Sequence, residues 1–137
     1  MFKVVENLTF WWPVKVSEPD DAKPGKSIEH VFEVQFAIQS SAEARASARA
    51  RTAIIAEIKA DITDEQLFEV QDRVEEHDLK AMRRVLKNWR KIADEDGAEI
   101  PFTEETFAAV WAHQRVRTAL VRAYDEAITL EKGRVKN

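Results

Sequence analysis

The run Asp94-Glu95-Asp96-Gly97 is where residue types and spacing first suggest chemistry in this chain. An EF-hand calcium loop has Asp at its third and fifth positions and Gly at its sixth, an order that Asp94, Asp96 and Gly97 meet. The register then fails. It puts Ile92 at the first ligand position and Thr103 at the twelfth, where a carboxylate and a bidentate glutamate are required. A capped turn is the expected role. His30, His77 and His113 fall in separate segments with no His-Glu-x-x-His pair, so no metal site is expected. His30 is expected at the core edge, His77 on a solvated helix surface, and His113 at a helix junction as a cap or surface residue.

Other reaction types find no better footing. The 25 acids include no pair set beside substrate-binding residues, and there is no Gly-rich phosphate loop and no Gly-x-Ser-x-Gly elbow. With no cysteine there is no thiolate ligand, disulfide or thiol redox centre. No catalytic residue and no cofactor are expected, and the reading is that of a non-enzyme.

Two groups point to binding instead. Arg83, Arg84, Lys87, Arg90 and Lys91, with Arg45, Arg49 and Arg51, are dense in positive charge. The net charge is −4 and acidic segments flank the denser group, so a solvated face is expected and nucleic acid is not an expected partner. Trp11 and Trp12 are adjacent, and a strand sends adjacent side chains to opposite faces. Both cannot enter a one-sided core; one is either covered by a helix or anchors a partner.

Alternation positions this pair. Phe10, Trp12, Val14 and Val16 share one face of a strand, and Pro13 makes that strand an edge or a bulged one. The segment SEPDDAKPGKS is a loop, and Ile28, His30, Phe32, Val34, Phe36 and Ile38 alternate after it, so an antiparallel hairpin is predicted. From Ser40 or Ser41, either of which can cap, an alanine- and arginine-rich helix begins. Thr63 with Gln66 forms a capping box for an apolar series from Leu67 to Ile92, read as one long helix or two broken near His77. Charge along it is blocked, with eight acids and one base over 61–79 and six bases over 80–91, a polarity that suits the helix dipole. Such segments could pair with each other, or head-to-tail with a neighbouring copy.

The acidic turn with Gly97 is expected to stop that helix, and Thr103, with Glu104 and Glu105 behind it, to start the next. Two further helices carry Phe107, Val110 and Trp111, then Val116, Leu120, Tyr124 and Ile128, before a polar tail, LEKGRVKN, expected to fray. The predicted fold is α+β, an N-terminal antiparallel β-hairpin packed beside a mainly α-helical C-terminal bundle of about four helices. Trp89, Phe102, Phe107, Trp111 and Tyr124 are expected at the centre of the helical core. The 137 residues are read as a single domain, with 1–39 as hairpin and 40–137 as the helical part. No stretch reaches the apolar length of a membrane span and no signal-peptide pattern opens the chain, so a soluble, cytoplasmic protein is expected.

The pattern Trp-x(4)-Asp-Glu-Asp-Gly-x(3)-Pro-Phe-Thr-x-Glu, followed by Val116-Arg117-x-Ala119-Leu120-x(2)-Ala123-Tyr124, resembles the tail assembly chaperones of long-tailed bacteriophages and prophages. The resemblance is strongest over 85–128, and the alanine-arginine helix at 42–51 departs from it. It implies a protein in the cytoplasm of a bacterial host that binds the tape measure protein, keeps it soluble, recruits tail tube subunits and forms homo-oligomers. Trp11, Trp12, Arg83, Arg84, Lys87 and Arg90 are the candidate partner-binding residues. The alternatives are a structural tail adaptor retained in the virion and a small nucleic-acid-binding regulator acting through the 80–91 bases.

Overall fold

The computed structural model describes residues 1–130; residues 131–137, most of the polar tail expected to fray, lie outside the described residues. In chain order the elements are β1 (Thr9–Pro19), β2 (Ser27–Ala37), α1 (Ser41–Ile55), α2 (Asp64–Val85), β3 (Leu86–Arg90), α3 (Glu104–Trp111) and α4 (Gln114–Ile128). The fold is α+β, with the N-terminal hairpin and four helices that the sequence predicts. These elements gather into two compact units, one holding Met1–Ile38 and the chain from Leu86 onward, the other Gln39–Val85. The chain thus enters the second unit where a boundary was expected, but the helices after it are divided: α1 and α2 lie in the second unit, α3 and α4 in the first.

In the first unit β1, β2 and β3 form an antiparallel sheet in that order. Pro13 lies on the edge strand β1, where its missing N–H costs the ladder least. Val14, Val16, Phe32, Val34 and Phe36 are buried on one face. Helix α4 packs against β1 and buries Val116, Ala119, Leu120, Ala123 and Ala127, spaced by three and four as a one-sided helix requires. The strands outrun this cover, so His30, expected at the core edge, is exposed and lies 3.3 Å from Glu18. The hairpin loop is tighter than SEPDDAKPGKS suggests. It turns over residues 20–26, with the Asp20 N–H donating to the Lys26 carbonyl at 2.9 Å and Gly25 at φ +84°.

Strand β3 is the main departure from expectation. The helix predicted to run to Ile92 stops at Val85, and it passes His77 without a break. Leu86 pairs with Phe36 and Trp89 with Val34, with a register shift between Gln35 and Phe36. Three residues apart, Leu86 and Trp89 would face opposite sides of a regular strand. The extra residue at this bulge puts both on the core side, where their exposures are 0% and 5%. Apolar residues thereby recur at a spacing of three, which imitates a helical stripe.

The acidic turn accordingly ends no helix. It closes a short antiparallel excursion in which Ala93 bridges Glu99 and the Ile100 N–H donates to the Ile92 carbonyl at 2.9 Å. Asp94 Oδ1 accepts from the N–H groups of Asp96 at 2.9 Å and Ala98 at 3.0 Å, the capping role expected of it. Gly97 turns the chain at φ +83°. Gly97→Ala forces an L side chain into this left-handed backbone and should lower stability by about 1–2 kcal/mol in chemical denaturation, with no neighbour to clash; an unchanged midpoint would refute that account. Pro101 follows, and Thr103 caps α3 by exchanging bonds with Thr106, 2.8 Å and 3.0 Å, whose hydroxyl also donates to the Pro101 carbonyl.

The second unit is an antiparallel αα-hairpin. Ser40 caps α1 in a box with Glu43, and Thr63 with Gln66 caps α2 as predicted. Polar contacts join the helices: Arg51 donates twice to the Asp78 carboxylate, at 2.9 and 3.2 Å, Arg73 donates to Glu57 at 2.8 Å, and Arg84 donates to Ser47 at 3.3 Å. His77, expected on solvated surface, is instead largely covered, with its ring 3.5 Å from the Ser47 hydroxyl and 3.3 Å from Asp78. Ser47 of α1 is the residue that meets that ring, a contact that composition alone does not reveal.

Candidate partner-binding surface

An antiparallel sheet with helices on one face leaves its other face to solvent. Register decides what stands there. Trp11 lies opposite Gln35, which lies opposite Asn88, while Pro13 lies opposite Glu33, which lies opposite Arg90. These rows alternate with the core row of Trp12, Val34 and Trp89, so Trp11 and Arg90 share the open face.

The two side chains touch. The Arg90 guanidinium sits 3.9 Å from the Trp11 ring centroid, a cation–π contact with the planar cation over the ring face. Arg90 Nε also donates to Glu33 at 2.7 Å, and Lys91 Nζ donates to the same carboxylate oxygen at 3.3 Å. These bonds hold the Glu33 carboxyl below its usual pKa. Lys91 reaches back because its backbone is left-handed at φ +65°, an uncommon conformation for a residue with a side chain. Val31, 51% exposed, stands on the same face. The patch is a half-buried aromatic ring framed by paired charge, on a rigid strand support.

Of the six candidate residues, the structure brings Trp11 and Arg90 together. Trp12 turns to the core face, edge-on to Phe10 at 6.1 Å, and its buried indole N–H has no hydrogen-bond partner among the described residues. Lys87 is the exposed extra residue of the β3 bulge. Arg83 and Arg84 belong to the last turn of α2, in the other unit, where Arg84 is engaged by Ser47. The bases over 80–91 therefore form no single helical row. Lys91 belongs to the basic group but not to the six candidates, and Glu33 to neither. Alternation already placed Glu33 opposite the apolar face of β2, but its cationic partners come from a strand that the sequence disguised.

The residues of the Trp89–Tyr124 pattern build the support beneath this surface. Trp89 Nε1 donates to the Ile100 carbonyl at 2.8 Å, and its ring meets Phe102 edge-on at 4.9 Å. Phe102 contacts Phe107, which stacks on Trp111 at 5.8 Å, and Tyr124 meets Phe36 at 5.3 Å. Trp89 thus serves the aromatic core from a strand and not, as expected, from a helix. Fold and surface together define an α+β protein with a three-stranded sheet open on one face. No family model, no curated protein and no solved structure matches the chain. No helix among the described residues is long and apolar enough to cross a membrane.

Proposed function

We propose that this chain is a tail assembly chaperone of a long-tailed bacteriophage or prophage, working without catalysis in the cytoplasm of the bacterial host. It binds the tape measure protein, keeps its helical apolar segments soluble and brings tail tube subunits to it. The observation that carries this reading is the Trp11–Arg90 patch on the open sheet face. A displaceable client site needs an aromatic anchor for apolar side chains and a charged rim that keeps the free surface hydrated. Trp11 supplies the first, and Arg90, Glu33 and Lys91 the second. The resemblance over Trp89–Tyr124 supplies the identity of the client.

Co-expression with the tape measure protein encoded nearby is the test. The tape measure protein should stay soluble and co-purify when this chain is present. Trp11→Ala should weaken the complex at least tenfold, the effect of losing about 1.4 kcal/mol or more at an anchor, with its circular dichroism unchanged. A tape measure protein equally soluble alone, with no complex formed, would overturn the proposal.

A further inference from the structure

The αα-hairpin of the second unit carries a helix, α1, with one open flank. Over its 15 residues α1 buries none, although two-helix hairpins normally gain their stability from an apolar seam or from neighbouring helices. Its contact side is polar: Ser47 and Arg51 face α2. Arg45 and Arg49 lie two residues either side of Ser47, on the opposite flank of the helix, and neither has an ion-pair or hydrogen-bond partner among the described residues. Ala42, Ala46, Ala48 and Ala53 lie three or four residues from these arginines, small neighbours that let another backbone come close.

The far flank of α2 has complementary chemistry. Phe68 is nine residues before His77, two and a half turns, and so points away from α1; it is 61% exposed. Glu65 and Asp72, three before and four after it, flank Phe68 on the same stripe, and both are exposed. One side of the hairpin is basic and small, the other acidic with a protruding aromatic ring.

We infer that the α1 flank bearing Arg45 and Arg49 docks on the α2 flank bearing Phe68 of a second copy of this chain. Because the two flanks lie on opposite sides of one hairpin, the contact is head-to-tail: each copy offers one flank to the copy before it and the other to the copy after. Phe68 enters between the alanines, and Arg45 and Arg49 meet Glu65 and Asp72. Assembly then adds copies stepwise and weakens with salt, since the charges stay near solvent. The inference does not depend on the chaperone reading.

Sedimentation velocity of the full chain over a concentration series tests it. The wild-type chain should associate progressively, and Phe68→Ala should weaken association at least tenfold. The R45E/R49E double variant and the E65K/D72K double variant should each be monomeric, with like charges on the two mating flanks. Mixing these two variants restores opposite charges at every junction and should restore assembly. A wild-type chain that stays monomeric at the highest concentrations reached would overturn the inference. So would association indifferent to both double variants and to Phe68→Ala, or a failure of two folded variants to assemble on mixing.

Discussion

Trp89→Ala should lower the stability of the sheet-containing unit by about 3–5 kcal/mol, the range for emptying a large buried aromatic site. Three losses coincide at this position. The side chain is almost fully buried, its ring sits edge-on to Phe102 and beside Phe107, and its indole N–H satisfies the Ile100 carbonyl. That last bond ties β3 to the segment that leads through Pro101 into the α3 cap. Trp89→Phe separates the contributions: it keeps most of the apolar volume but leaves the Ile100 carbonyl without its donor, at a cost of about 1–3 kcal/mol. Urea titrations followed by circular dichroism would read both variants. A loss under 1 kcal/mol for Trp89→Ala would mean that this ring does not hold the unit together.

Deleting Lys87 should cost more than replacing it. Its side chain is exposed, so Lys87→Ala should change stability by no more than about 0.5 kcal/mol. Deletion, however, removes the extra residue of the bulge. Leu86 and Trp89 then come two residues apart, and alternation still keeps them on one face. With the extra residue gone, Leu86 opposite Phe36, Asn88 opposite Gln35 and Trp89 opposite Val34 make a regular ladder, so each cross-strand partner is kept and what is lost is the local bend and twist that the bulge gives β3. Arg90 stays opposite Glu33 in the same register. The expected loss is about 1–3 kcal/mol, the cost of straightening a packed strand without emptying any core site. Thermal unfolding would check this; a deletion variant that melts with the wild-type chain would show that the bend at the bulge contributes nothing to stability.

Much of the fold was legible because it is decided locally. The caps at Ser40, Thr63 and Thr103 depend on side chains within three residues of the backbone they satisfy. The β1–β2 hairpin follows from alternation on both sides of a Pro- and Gly-bearing turn, and α4 from one apolar stripe. The candidate surface was only half legible. Adjacent tryptophans on a strand imply that Trp11 and Trp12 face opposite ways, but which of them meets the core depends on the cover given by α4.

The hairpin, the four helices, the caps of α1, α2 and α3 and the opposed faces of the tryptophan pair all follow from short-range pattern. The tertiary structure alone decided that residues 86–90 pair with β2, some 50 positions earlier, instead of extending α2. The bulge there gives Leu86 and Trp89 a spacing that a helix would equally satisfy, and only the long-range ladder distinguishes the two. The same ladder sets Arg90 over Trp11 and beside Glu33. His77 and Ser47 likewise meet only when α1 and α2 close on each other, because residues 30 apart carry no periodic signal of their contact.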